Sequence, residues 1–313
     1  MTERNLAPPG GVIAAPLTPL TSSLEPDRDA LAEHCRWLLD HGCDGLAILG
    51  STGEANSLTL DQRLDIIGYV ADDLPGDRLL IGTGSCSVAD AITLTGAAVA
   101  RGLTNVLVLP PFYYRPVGDD GVFSYFECLI DAVGDPNLRI YIYNFPLTSG
   151  FSFSSELVGR LREAFGAVIA GLKDSSGDWE HMAEICATQP GFEIFAGTEK
   201  YLLDILRIGG VGCISATANV TSAMCQDVYR AWRANDTESA DRLQENLTAV
   251  RLALQAQPII PALKALMARE NQPSGAQWQN LLPPLVGLDQ TALAGLRDNL
   301  ADLAFPGPGQ SAA

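Results

Sequence analysis

Residues 139–173 open on Arg139-Ile-Tyr-Ile-Tyr-Asn144 and close on Val168-Ile-Ala-Gly-Leu-Lys173, two short apolar runs rich in β-branched and aromatic residues, with a longer segment between them. Runs of that length suit buried strands, and the stretch between is long enough for a crossover helix, so the segment reads as one βαβ unit. The same alternation extends outward in both directions. Toward the N-terminus lie Val12-Ile-Ala-Ala-Pro-Leu17, Gly45-Leu-Ala-Ile-Leu49, Leu79-Leu-Ile-Gly82 and Asn105-Val-Leu-Val-Leu109; toward the C-terminus lie Glu193-Ile-Phe-Ala196 and Val211-Gly-Cys-Ile-Ser215. Amphipathic segments such as Asp29 to His41, Leu60 to Asp72, Val88 to Ala100 and Asp178 to Ala187 separate them. The strand candidates total eight, the number of a closed (β/α)8 barrel. An open doubly wound sheet would alternate similarly, but its first strand is usually followed by a phosphate loop, and that position here reads Pro16-Leu-Thr-Pro19. The expected fold is therefore α/β, a (β/α)8 TIM barrel over residues 1–222. No strand signal follows Thr221. Ala223 to Ala234, Glu238 to Ala256, Pro261 to Arg269 and Thr291 to Leu303 read as helices, a C-terminal helical extension over residues 223–313 packed on the barrel. The final Pro306-Gly-Pro-Gly309 and the residues after it are turn-rich and expected to be disordered.

Composition narrows the function classes. The 313 residues are 47% hydrophobic and 18% charged, enough apolar surface to fold without disulfides or metal. Lys and Arg total 20 against 37 Asp and Glu, a formal net charge of −17 with no basic block, so nucleic acid and anionic membranes are poor partners. Seven scattered cysteines without a C-x-x-C pair suit free thiols in a reducing cytoplasm. The first ten residues lack the pattern of a signal peptide, and no apolar run is long enough to span a bilayer. A soluble, cytoplasmic protein acting on a small molecule is expected.

Three lysines occur in the chain, Lys173, Lys200 and Lys264, and Lys173 closes the apolar run of the sixth strand. Burial disfavours an ammonium, so an amine there would be present in the free, nucleophilic form near neutral pH. The C-terminal end of a barrel strand is also where such folds keep catalytic groups. The same lysine could equally pair with Asp174 or reach solvent at a strand end. Lys200 follows Gly197-Thr-Glu199 at a helix start, and Lys264 sits in an amphipathic helix; both suit structural roles. After the second strand, Gly50-Ser-Thr-Gly-Glu54 offers the Ser51 and Thr52 hydroxyls and backbone amides, including that of Gly53, to a carboxylate, though it also suits a plain helix-capping turn around Glu54. Tyr143-Asn-Phe-Pro146 and Pro111-Phe-Tyr-Tyr-Arg-Pro116 end the fifth and fourth strands and bring phenols to the same face, where a tyrosine can move protons, or can simply pack. Histidine is scarce: His34 and His41 lie on the first helix, and His181 is early in the helix after the sixth strand. Gly82-Thr-Gly-Ser-Cys-Ser87 lacks the third glycine of a dinucleotide loop. No metal-ligand spacing and no credible Ser–His–acid set is present, so neither a cofactor nor a metal is expected.

Taken together, Gly50-Ser-Thr-Gly-Glu54, Pro111-Phe-Tyr-Tyr-Arg-Pro116, Tyr143-Asn-Phe-Pro146, Gly171-Leu-Lys-Asp-Ser-Ser176 and Ile214-Ser-Ala-Thr-Ala-Asn219 resemble, in order and spacing, the dihydrodipicolinate synthase/N-acetylneuraminate lyase family. The resemblance implies that Lys173 forms an imine with pyruvate and that Tyr143 shuttles protons. It implies that Ser51 and Thr52 hold the pyruvate carboxylate, and that Ile214 lines the pocket. It further implies that Tyr113 reaches into a neighbouring subunit's site to complete a relay through Ser51, and hence a homotetramer built as a dimer of dimers. The synthases carry an arginine shortly after Tyr-Asn-x-Pro for the carboxylate of the incoming semialdehyde; here Thr148 occupies that position, and a neutral hydroxyl cannot replace a guanidinium. Arg115 could supply the charge instead. The expected function is a class I aldolase cleaving or forming a 2-keto-3-deoxy sugar acid from pyruvate and an aldehyde. The alternatives are the synthase reaction, a Schiff-base dehydratase, or a non-catalytic barrel that senses a 2-oxo acid.

Overall fold

In the computed structural model, which describes residues 10–268 and 275–311, the apolar runs become strands of four to six residues: β1 (Gly11–Ala14), β2 (Gly45–Ile48), β3 (Leu79–Gly82), β4 (Asn105–Val108), β5 (Arg139–Asn144), β6 (Ile169–Asp174), β7 (Glu193–Ala196) and β8 (Gly212–Ser215). All neighbours pair in parallel, and β8 returns to β1 through Ile13↔Ile214 and Ala14↔Ser215, closing the expected barrel. Between and around the strands run α1 (Arg28–Asp40), α2 (Leu60–Asp73), α3 (Val88–Val99), α4 (Asp119–Val133), the single turn α5 (Pro146–Ser149), α6 (Ser155–Phe165), α7 (Trp179–Thr188), α8 (Leu202–Arg207) and α9 (Ala218–Arg233). The C-terminal helices are α10 (Thr237–Gln255), α11 (Ile259–Met267) and α12 (Gln290–Asp302).

Two expectations need correcting. The domain boundary expected at residue 222 falls inside α9, which packs on β1 as the eighth barrel helix. A helix is one cooperative unit, so the extension begins only with α10. The tail from Pro306, expected to be disordered, is laid against the barrel as far as it is described: the Gly309 amide donates to the Val220 carbonyl at 3.2 Å. Gly309 also lies so close to Trp37 that an added Cβ would come within 2.4 Å of the indole.

Outside β6, side chains alternate across the strands. Ile13, Ala47, Leu80, Leu107, Tyr141 and Phe195 fill the barrel interior with Ile214, while Val12, Leu46, Ile81, Val106, Ile142 and Ile194 face the helices. At the barrel floor Tyr141 donates from its hydroxyl to Glu193, which also pairs with Arg139 at 2.9 Å. The alternation breaks in β6. Ile140 pairs with Ile169 but Tyr141 pairs with Gly171, so one extra residue sits in β6 as a bulge. Ile169 faces the helices and Ala170 the interior; without the bulge Leu172 would face inward and Lys173 outward. With it, Leu172 joins the outer layer and Lys173 turns inward. Gly171 is the residue that permits this packing, because a Cβ there would meet the Glu193 carbonyl oxygen at 2.3 Å and the Tyr141 ring at 2.6 Å.

Gly171→Ala is accordingly expected to lower stability by about 3 kcal/mol, the upper end of ordinary overpacking, because backbone cannot yield as a flexible side chain would. Urea denaturation checks it: an unshifted midpoint would contradict the close approach at the bulge.

Candidate active site

The bulge delivers Lys173 to the barrel interior, where it is 4% exposed and paired in register with Tyr143 on β5 and Phe195 on β7. Its Nζ lies 4.3 Å from the centroid of the Tyr143 ring. No ion pair or hydrogen bond holds the amine among the described residues. Asp174 does not pair with it: strand alternation sends that carboxylate to the opposite side, where Asn144, Ser176 and His181 occupy it. Tyr143 is buried, stacks on Phe145 at 5.7 Å between centroids, and belongs to the same interior cluster as Ile214. A small cavity opens beside it, bounded by Ser51, Arg63, Leu107, Leu109 and Tyr143.

The loop after β2 forms a 3₁₀ turn over Ser51–Gly53. Its geometry divides the three residues proposed for a carboxylate. The Gly53 amide is spent inside the loop on the Gly50 carbonyl at 3.1 Å, and the Gly53 carbonyl accepts from Thr18 Oγ1 at 2.8 Å, so Gly53 anchors the turn. The amides and hydroxyls of Ser51 and Thr52 have no protein partner among the described residues, and Ser51 lines the cavity. Glu54 does not cap a helix. It adopts a left-handed conformation with φ of 57° and sends its side chain under the loop, where it forms a buried ion pair with Lys264 of α11 at 2.5 Å and accepts from the Leu282 amide at 2.9 Å. Lys264 also donates to the Asn280 carbonyl at 2.9 Å, and burial lowers its pKa despite the attraction of Glu54. The C-terminal extension thus holds the second-strand loop from below.

At the rim, Arg115 donates from Nε to the Phe112 carbonyl at 2.8 Å and from Nη2 to the Thr148 carbonyl. The expected charged substitute therefore stands beside Thr148, tying the β4 loop to α5. Tyr113 does not enter this cavity within one chain: it is 76% exposed and packs edge-on against the equally exposed Tyr114.

Several contributors were not apparent from sequence. Arg63 is buried on α2 and donates to the carbonyls of Gly82 and Gly84 at 3.0 and 3.1 Å, with no carboxylate partner among the described residues; burial lowers its pKa. Its one sequence signal is a charge standing on the apolar stripe between Leu60 and Ile67. Asn144 and Asp174 carry no such signal; they follow Tyr143 and Lys173 and become partners only through the strand register, with Asn144 Nδ2 donating to Asp174 Oδ2 at 2.9 Å.

A buried amine without a counter-ion among the described residues, a phenol against it, and a loop whose Ser51 lines the same small cavity as that phenol are together suited to attack on a carbonyl compound that carries a carboxylate. Comparisons with known proteins show which family the chain resembles. The sequence model of the dihydrodipicolinate synthetase family matches residues 8–302. A DapA-like lyase of Chloroflexus aurantiacus is 31% identical, with 93% of this chain and 96% of that protein covered. A 4-hydroxy-tetrahydrodipicolinate synthase of Methanopyrus kandleri is 32% identical over 78% of this chain and 81% of its own length. Among solved structures, YagE, a prophage protein of the dihydrodipicolinic acid synthase family from E. coli K12 in complex with pyruvate, superposes with a TM-score of 0.85 at 28% identity, covering 94% of this chain and 99% of its own.

Removing one partner of a buried ion pair leaves an uncompensated charge, so Lys264→Met should cost about 3–5 kcal/mol of stability. Combining it with Glu54→Gln should recover part of that loss; equal destabilisation in single and double variants by urea titration would show that the pair does not hold the loop.

Proposed function

Since the chain belongs to the dihydrodipicolinate synthetase family, a family of class I lyases, we propose that it is a pyruvate-dependent aldolase whose Schiff-base residue is Lys173. The observation that carries this reading is the buried Lys173 amine, free of any counter-ion among the described residues and set on the Tyr143 ring. The amine attacks the ketone of a 2-oxo acid, the carbinolamine loses water, and the resulting protonated imine withdraws electrons from the adjacent carbon–carbon bond. In the cleavage direction Tyr143 accepts the proton of the hydroxyl on the departing carbon. The bond electrons pass into the imine to give an enamine, and an aldehyde leaves. Protonation of the enamine carbon and hydrolysis then return pyruvate and the free lysine. Ser51 and Thr52 hold the carboxylate through the amides and hydroxyls that the fold leaves unpartnered, and Ile214 bounds the pocket from the interior cluster.

The substrate class we favour is a 2-keto-3-deoxy sugar acid, because the position next to the Tyr-Asn-Phe-Pro segment is Thr148, a neutral hydroxyl suited to a polyhydroxy aldehyde. A second reading, the 4-hydroxy-tetrahydrodipicolinate synthase reaction, draws support from Arg115, whose guanidinium is fixed beside Thr148 and could meet a second carboxylate. Product analysis separates these from a dehydratase, which would release water without carbon–carbon scission. Turnover lost in Lys173→Ala would exclude a purely sensory role. The exposed aromatic side chains of Tyr113 and Tyr114, with Leu147 also exposed at the same rim, support an oligomer in which Tyr113 of one copy completes the site of another, a homotetramer by family analogy.

Reduction with borohydride in the presence of pyruvate should add one reduced pyruvate to the chain, mapped by mass spectrometry to the Lys173 peptide and absent in Lys173→Ala. An adduct on Lys264 instead, or none in folded protein, would overturn the assignment. Tyr143→Phe should keep the adduct while slowing turnover on the order of 10²-fold, as for a lost proton shuttle; unchanged turnover would remove Tyr143 from that role.

A further inference from the structure

Behind Lys173 and Tyr143, on the side of the sheet that faces the helices, four groups close a ring of hydrogen bonds. Asn144 Nδ2 donates to Asp174 Oδ2 at 2.9 Å, and the Phe153 amide donates to Asn144 Oδ1 at 3.2 Å. His181, on the first turn of α7, completes it, with Nδ1 2.7 Å from Asp174 Oδ2 and Nε2 2.6 Å from the Phe153 carbonyl oxygen. The other Asp174 oxygen takes the Ser176 amide at 2.8 Å and the Ser176 hydroxyl at 2.5 Å. Both partners of the imidazole are acceptors, and a neutral imidazole has only one N–H. The geometry therefore calls for both nitrogens to be protonated.

From this closed ring we infer that His181, as an imidazolium, is a positioning residue for the reaction proposed above. It holds Asp174 and Asn144, the residues that directly follow Lys173 and Tyr143, and at the same time anchors the Phe153 end of the segment that carries Thr148. A loss of one N–H opens the ring on one side and frees either the ends of β5 and β6 or that segment. The inference rests on the Schiff-base reading for its catalytic consequence, though not for the ring itself.

The surroundings favour the charged form. The hydrogen bond to Asp174 raises the His181 pKa to about 8 from 6.5, outweighing partial burial, with the Phe153 carbonyl and the charges of Asp174 and Asp178 acting in the same direction. On its own helix Glu180 and Glu184 are exposed, and on the neighbouring α6 the two arginines are engaged elsewhere, Arg160 with Asp120 and Arg162 with Gln189. Because the folded-state pKa lies above the unfolded value, the stabilisation is complete below pH 6.5 and is lost as pH rises through about 8.

The test uses the whole 313-residue chain with pyruvate as probe, which requires no knowledge of the aldehyde. Exchange of the pyruvate methyl protons for deuterium reports enamine formation, borohydride trapping reports the imine, and NMR titration follows His181, one of only three histidines. Wild-type exchange should fall as pH rises through about 8. His181→Arg, which keeps a permanent charge and several donors, should remove that fall. His181→Gln should lose on the order of tenfold or more in exchange rate at pH 7, as a misplaced catalytic group does, with trapping yield and the apparent KM for pyruvate little changed. Wild-type rate and pH profile in His181→Gln, or an alkaline fall that persists in His181→Arg, would overturn the inference. So would a His181 resonance showing a neutral ring at pH 6.5, and this measurement decides the ring even if His181→Arg fails to fold. Absence of any trapped adduct in the wild type would instead refute the Schiff-base reading, leaving the NMR titration to judge the ring on its own.

Discussion

A one-residue slip between β5 and β6 decides which side of the sheet each residue from Gly171 to Asp174 faces. Strand side chains alternate with a period of two, so a single inserted residue exchanges the faces of everything that follows it. In β6 the exchange places Leu172 among the helices, Lys173 in the barrel and Asp174 behind the sheet. Without it the apolar Leu172 would fill the interior and the amine would lie in the helix layer. The close contact of Gly171 with Glu193 and Tyr141 belongs to the same feature, and it links the barrel floor, where Tyr141, Glu193 and Arg139 meet, to the mouth where Lys173 emerges.

Three buried cations surround the mouth, and the fold treats each differently. Lys264 has a full counter-charge in Glu54 and a carbonyl at Asn280. Among the described residues Arg63 has two carbonyls and no carboxylate, and Lys173 has neither, only the face of an aromatic ring. A buried ammonium is costly unless paired, and a cation–π contact of about 2 kcal/mol offsets only part of that cost. The first two groups build the frame around the cavity; the third is left without a counter-ion among the described residues.

The extension after the barrel has a related role. Burying the Glu54–Lys264 pair joins the second-strand loop to α11, and Asn280, which accepts from Lys264, donates to the carbonyls of Leu20 and Thr21 in the β1 loop. Two loops at the mouth are thus braced by chain from the far end of the sequence. Loops at the C-terminal face of a barrel are otherwise free to vary, so this bracing gives a defined position to the loop whose Ser51 lines the same cavity as Tyr143.

Much of this was legible in the sequence. Eight apolar runs at helical intervals determined the barrel, since only burial on both faces makes such runs favourable, and a lysine ending one of them marked the site because an ammonium there opposes the surrounding composition. Thr148, Arg115 and Tyr113 were identifiable through the family resemblance of the segments that carry them. What the sequence could not express is which distant groups share a hydrogen bond. Glu54 read as a helix cap because local spacing fits one, yet its partner lies more than two hundred residues away on α11. Lys264 read only as a structural lysine of an amphipathic helix for the same reason. His181 and Asn144 carried no pattern at all, because their roles come from strand register and from the packing of α7 on β6. Local periodicity records which face of an element is apolar; it holds no information on the long-range pairing of polar groups, and that pairing was settled only when the barrel closed.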